Sequence, residues 1–270
     1  MNESDGSDTS PPVSAAPVLS QQQATSDHVD LQTSLGDLAA LVAGSLGLDE
    51  LLAQVAAFAV QAIPGADGAG VTLLCTNTTK DRVQALAASH PFVSEIDALQ
   101  YEVLDEGPCI TAAMEKRTVR SGSLGGESRW PRFGPRVGRL GVHSVLSLPL
   151  LLPGQVVGAI NVYAHAKDVF DDHAAELGQL FAAPAAVAVH NAQVLAQAQL
   201  LASHLQAALT SRAIIDQAIG ILRSRNGGSA EDAFARLRTT SQTENVKLAA
   251  VAERIVEEAV RRARARHTGP

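Results

Sequence analysis

Aromatic side chains are scarce. Phe, Tyr and Trp make up 3% of the 270 residues, and tryptophan occurs once. Hydrophobic residues reach 46%, so a core can form, but it has to be built mostly from Ala, Leu and Val. Cysteine is scarcer still: Cys75 and Cys109 are the whole complement. That excludes a disulfide framework and a zinc spacing, and points to a reducing, cytoplasmic setting. The eight histidines stand singly, without the paired spacing of a helix-borne metal site, so no metal is expected. No Gly-rich phosphate loop and no catalytic triad appears, and the chain is expected not to be an enzyme. No apolar run reaches the ~18 residues of a membrane helix, because the Ala-rich stretch near 182–209 is broken by His190, Asn191 and several Gln. The opening "MNESDGSDTSPPVSAAPVLSQQQATSD" lacks the basic and apolar regions of a signal peptide. Its acidic, Ser-, Pro- and Gln-rich composition predicts a disordered tail over 1–29.

Net positive charge is also lacking, since the chain sums to −7, which alone argues against a nucleic-acid binder. The total hides a split. Residues 1–203 carry 10 Lys+Arg against 21 Asp+Glu, whereas residues 204–270 carry 11 against 7. An acidic body with a basic C-terminal segment points to an anionic partner for that segment.

What is present divides the chain. Two helices are expected first, over about 30–44 and along "LDELLAQVAAFAVQAI". The second puts Leu51, Leu52, Val55, Phe58, Ala59, Ala62 and Ile63 on one face, before "PGADG" stops it. Two hairpins are expected next. "AGVTLLC" and "RVQALAAS" flank "TNTTKD"; "VHSVLSLPLLL" and "QVVGAINVYA" flank "PG" at 153–154. Between them, about 90–141 reads as irregular with one short helix, "CITAAMEKR". Paired strands with helices packed on them predict an α+β domain with an antiparallel sheet.

From Phe170 onward the pattern is helical. Leu177, Phe181, Ala188, Leu195, Ala202, Leu205 and Leu209 form a seam, and Val187, Val194 and Leu201 form a stripe beside it. Two apolar stripes have to be covered on two sides, and we expect one to lie on a second copy of the chain. Pro184 should kink this helix or mark its start. In "RAIIDQAIGILRSR", Ile214, Ala218 and Ile221 with Ile215 and Leu222 make a stripe, although Gly220 weakens the helix by roughly 1 kcal/mol. A bare spot at Gly220 would let another backbone approach, and a neighbouring helix is the expected visitor ahead of RNA. "NGG" at 226–228 stops the helix. Ser229 with Asp232 is a capping-box pattern that opens the next one, from which Ala233, Phe234 and Leu237 are expected to face inward, with Phe234 as core plug. Thr243 is expected to cap a third helix carrying Leu248, Ala252, Ile255 and Ala259.

"AIIDQAIGIL", "AEDAFARLRTTSQ" and "NVKLAAVAE", in this order and spacing over about 206–260, resemble an ANTAR domain, the three-helix RNA-binding module of transcription antitermination regulators. "EGPCITAA", "RWPRF", "GVHSVLSLPLLLPGQVVGAINVYA" and "VFDD" resemble a GAF domain of the actinobacterial type, PAS-like in fold. The pair resembles a GAF-ANTAR regulator: a tail (1–29), a GAF sensor domain (30–195) that includes the start of a long signalling helix, an all-α three-helix ANTAR domain (196–262) and a basic tail (263–270). The resemblance implies binding of paired stem-loops in nascent RNA by a homodimer joined through the long helix, which holds back a terminator hairpin. No receiver pattern appears, so the GAF domain would be the input. The resemblance calls for no cofactor and leaves a small-molecule ligand of the GAF domain open.

With Phe234 read as inward, RNA would be met by arginine, backbone and polar amides. The positions expected to do so are Arg212, Gln217, Gly220, Arg223 and Arg225 on the first helix of the module, Arg236, Arg238, Ser241 and Gln242 on the second, and Asn245 and Lys247 at the start of the third. Each could equally be a solvated surface group, and Asn245 a helix-start residue with a local hydrogen bond. Two other readings stay open. One is a DNA-binding regulator, against which stands the lack of a clear helix-turn-helix with polar base-reading residues. The other is a GAF-fold redox enzyme built on Cys109, against which stands the reading of that thiol as small and buried. Asp171 and Asp172 read as a helix N-terminus, and Trp130 as either a pocket rim or a core plug.

Overall fold

The computed structural model describes residues 20–42, 46–74 and 83–267. Cys75, the first hairpin turn and residues 1–19 of the expected tail lie outside the described residues. The chain divides into two units, with the boundary between Val194 and Leu195.

The first unit opens with helices α1 (Gln21–Val42) and α2 (Leu48–Ala62). Helix α1 begins within the stretch expected to be disordered. The Ser20 hydroxyl accepts from the Gln23 N–H at 3.2 Å, a run of glutamines favours helix, and Leu31 and Leu38 are buried. Strands β1 (Gly68–Leu74) and β2 (Val83–Ala88) follow. Next come α3 (Pro91–Ala98), a π turn (Leu99–Leu104), α4 (Pro108–Glu115), β3 (Val119–Ser121), a 3₁₀ turn (Leu124–Gly126) and α5 (Phe133–Arg139). Residues 90–141 are therefore far more ordered than expected. Pro91 and Pro108 each stand at the first turn of a helix, where proline is well tolerated. Strands β4 (Ser144–Leu152) and β5 (Gln155–Ala164) close the sheet. The antiparallel order is β2-β1-β5-β4-β3.

Strand alternation sorts the two faces. Val71, Leu73, Leu146, Leu148, Leu150, Ile160 and Val162 point into one core with α1, α2 and the first turns of helix α6 (Asp172–Asn226), including Leu177 and Phe181. Of the face expected on α2, six residues are buried; Phe58 is only partly covered, and Ala56 joins them. On the other face Val145 and Tyr163 pack with Val93, Ile96, Trp130, Phe133 and Val137. Helix α6 starts where Asp171 Oδ1 accepts the Ala174 N–H at 2.8 Å. Pro184 lies inside the helix, so it does not mark the start.

The second unit begins within α6 at Leu195, and the helix ends at Gly227 and Gly228, both at positive φ. Helices α7 (Ala230–Glu244) and α8 (Leu248–His267) follow. Ser229 Oγ accepts the Asp232 N–H at 3.1 Å and Asp232 Oδ2 accepts the Ser229 N–H at 3.1 Å, the expected capping box. Thr243 does not cap α8. It lies in the last turn of α7, which ends at Asn245 in the left-handed conformation (φ 52°). The core is Ala218, Leu237, Val251 and Ala252, flanked by Ile214, Ile215, Ile219, Leu222, Leu248, Ile255 and Val256.

Candidate functional site

Inside the first unit, polar residues gather where a core would be apolar. Alternation turns Thr72, Ser147, Asn161 and Tyr163 toward the face covered by α3 and α4, and Asp97 comes down from α3 to meet them. The Tyr163 hydroxyl donates to Asp97 Oδ1 at 3.1 Å, Asn161 Nδ2 donates to the same oxygen at 3.4 Å, and the Ser147 hydroxyl donates to Asn161 Oδ1 at 2.8 Å. Gly70 makes room: a Cβ there would stand 2.4 Å from Asp97 Oδ2. Burial pushes the Asp97 carboxyl up to about 7, although both donors pull it back.

Cys109 adjoins this cluster at the start of α4. Its N–H donates to Gln100 Oε1 at 3.0 Å, and its sulfur accepts from the Tyr101 hydroxyl. The thiol is buried, and burial raises its pKa to about 12. A thiol held protonated and shielded from solvent is a poor nucleophile, so the small buried thiol is the reading that fits. Trp130 is a core plug, 2% exposed, with Nε1 donating to Thr111 Oγ1 at 3.0 Å. It also borders a cavity of about 400 Å³ with Glu106, Arg117 and Arg129. Those two arginines pair with Glu115 and Glu127 respectively, and the cavity therefore presents no uncommitted cation. Among the described residues no cluster of His, Cys, Asp and Glu could hold a metal ion.

In the second unit every expected RNA-contacting residue except Ser241, which is half-buried, is exposed. Arg236 lies near Asp232 and Arg223 near Glu231. Arg212, Arg225, Arg238 and Lys247 enter no ion pair among the described residues. Arg238, Ser241 and Asn245 follow one another by three and four residues and so share one face of α7, with Gln242 beside it. Ser241 and Asn245 also have local roles. The Ser241 hydroxyl donates to the Val246 carbonyl at 2.6 Å, and the Asn245 N–H donates to the Ser241 carbonyl. Asn245 thus ends α7 instead of starting α8. Lys247 supplies the carbonyl that accepts the first N–H groups of α8. On α6, Gln217, Gly220, Arg223 and Arg225 are all exposed.

Two expectations fail here. Gly220 is exposed and a Cβ on it would meet nothing within 4 Å, so no helix among the described residues needs its bareness. Phe234 is not a core plug but is 40% exposed. The core that α7 shares with α8 takes Leu237 against Val251 and Ala252, and Phe234 lies about 100° around the helix from Ala233, off that inward line. Sequence reasoning therefore missed an exposed aromatic. The signal was available: Ala233 and Leu237, four apart, define the inward line, and Phe234 lies off it.

The apolar seam of α6 also changes character. Leu177, Phe181 and Ala188 are buried, but Val187, Val194, Leu195, Leu201, Leu205 and Leu209 are between 48% and 64% exposed.

A GAF domain model matches residues 45–190 and an ANTAR domain model matches residues 203–256. No curated protein matches the chain in sequence. Many solved structures resemble it, three of them as follows. The GAF domain of a phosphoenolpyruvate-protein phosphotransferase from Coxiella burnetii is 15% identical, over 62% of this chain and 96% of that one, with a TM-score of 0.48. The corresponding domain from Acinetobacter is 15% identical over 62% and 97%, with a TM-score of 0.46. A free methionine-R-sulfoxide reductase from Neisseria meningitidis is 16% identical over 68% and 99%, with a TM-score of 0.48.

Proposed function

The chain belongs to the GAF-domain family and carries an ANTAR domain behind it, and from that premise we propose that it is an RNA-binding antitermination regulator. In this reading the three-helix unit binds paired stem-loops in a nascent transcript and holds back a terminator hairpin, and the GAF domain is the input. The observation that carries it is the coincidence of the ANTAR match with a unit in which Arg212, Arg225, Arg238 and Lys247 have no ion partner among the described residues. Uncommitted cations on one small module fit phosphate, with arginine forks suited to guanine edges as well.

The protein acts as a homodimer through α6. A row of leucines at more than half exposure on α6 from Leu195 to Leu209 is an apolar patch that a monomer leaves in water, and a second copy supplies a matching row. Leu205→Glu should convert the dimer to monomer in sedimentation, with the spectrum of a folded chain. A wild-type chain that sediments as a monomer refutes this part.

RNA binding is tested with the full-length chain on a paired stem-loop RNA and on a scrambled RNA of equal length. The paired stem-loops should bind tighter, and log Kd should climb with log salt at a slope of about 3 if four cations meet phosphates. Equal affinity for the scrambled RNA, or displacement of the RNA by duplex DNA at equal concentration, overturns the proposal. In transcription through a terminator, added protein should raise read-through only on templates encoding both stem-loops.

A further inference from the structure

We propose that Phe234 is a stacking platform for an unpaired nucleobase in the loop of the bound RNA; the inference rests on the RNA-binding reading above. Phe234 is the only Phe, Tyr or Trp among residues 195–270, and it is 40% exposed. It is one step out of line with the inward pair Ala233 and Leu237, which are 4% and 1% exposed. Phe234, Arg238, Ser241 and Asn245 step by four, three and four, so they form one stripe along α7.

The lower half of that stripe is committed to the turn into α8, through the Ser241 hydroxyl on the Val246 carbonyl and the left-handed Asn245. Its upper half presents a ring that is 40% exposed and, one helical turn on, a guanidinium with no ion pair among the described residues. A flat apolar face beside a free cation matches one ligand chemistry closely: a base for the ring and a phosphate or base edge for the fork. RNA loops offer such bases, because unstacked loop nucleotides can be splayed onto aromatic rings while the stem keeps the phosphates in reach. The ring would read the presence of a base more than its identity, since every base has a π face.

The test uses the full-length chain, a stem-loop RNA bound by the wild type, and the same RNA with each loop nucleotide made abasic in turn. Phe234→Ala should raise Kd roughly ten- to hundredfold, the range for loss of one stacked base, whereas Phe234→Tyr should stay within about threefold. One abasic position should weaken the wild type by a similar factor and leave Phe234→Ala unchanged, because both remove the same contact. Far-UV circular dichroism of each variant should match the wild type. Several outcomes overturn the proposal. These are Phe234→Ala binding as tightly as the wild type, a loss equal on every abasic RNA, and a shift of oligomeric state in the absence of RNA, which would assign the ring to a protein contact. A wild type that binds no stem-loop RNA removes the RNA-binding reading itself, and the platform with it.

Discussion

Asp97 should make the first unit lose stability as pH rises, opposite to a carboxylate held in an ion pair. Burial lifts its pKa from the ordinary 3.8 to about 7, with Tyr163 and Asn161 pulling it back by hydrogen bonds. Between those values the folded chain holds a proton that the unfolded chain has released. The sign follows: the stability that depends on this proton is intact below about pH 4 and is lost as pH climbs through 7. A difference of about three pH units at ~1.4 kcal/mol each is on the order of 4 kcal/mol, of which about 2 kcal/mol falls between pH 5 and 7. Asp97→Asn keeps the side-chain shape and an oxygen for the Tyr163 hydroxyl, and it has no proton to release. Trp130 is the single tryptophan and is buried in the same unit, so urea unfolding followed by its fluorescence reports on that unit. The wild-type midpoint should fall by about 1–2 M urea from pH 5 to pH 8, given slopes of ~1–3 kcal/mol per molar, while Asp97→Asn stays level. Tyr101, Tyr163 and Cys109 remain protonated across this window, since burial raises all three. Glu127, held at about 2 by its hydrogen bond from Arg129, loses its stabilising effect only as pH falls below the window. An Asp97→Asn chain that declines in parallel with the wild type refutes the assignment.

Three further outcomes can be measured. Gly220→Ala should stabilise the helical unit by up to ~1 kcal/mol, since a Cβ at 220 meets nothing within 4 Å; Gly220→Leu should keep the fold and weaken RNA binding, and lost helicity on melting would mean that packing needs the glycine after all. Ser229→Ala should destabilise the start of α7 by ~1 kcal/mol, seen as faster amide exchange at the Asp232 N–H that Ser229 now accepts; unchanged exchange would show that Asp232 alone holds the cap. In a Cys75→Ser chain, Cys109 should resist thiol reagents at pH 8 until the protein unfolds, because it is buried with a pKa of about 12; modification at the rate of a free thiol would reopen a redox role.

Much of this molecule is local in origin, and that part was legible in the sequence. "NGG", Ser229 with Asp232 and the "PG" at 153–154 place their stops, cap and turn because each acts through backbone groups within a few residues. The hairpin strands follow from alternation, and α8 from its apolar steps. The short helix read at "CITAAMEKR" is α4, and the proline that starts α3 was equally readable, though α3 itself was hidden in a stretch that lacks long periodic runs. Thr243 shows the limit: it resembles a cap, but the turn closes two residues later, where Asn245 can take the left-handed conformation.

Tertiary structure decided which face of each element is covered. Phe234 looked inward because it is apolar, and it is 40% exposed because the line that meets Val251 and Ala252 runs through Ala233 and Leu237, one step away from it. Asp97 stands nowhere special in "PFVSEIDALQ", yet it is buried because Gly70, distant in sequence, opens the space and Asn161 and Tyr163 supply the donors. Gly220 looked like a packing device and proved bare, because among the described residues nothing comes within 4 Å of a Cβ there. Backbone signals are short-range and survive in the sequence, whereas burial depends on which residues of other elements arrive opposite, and only the folded chain brings them together.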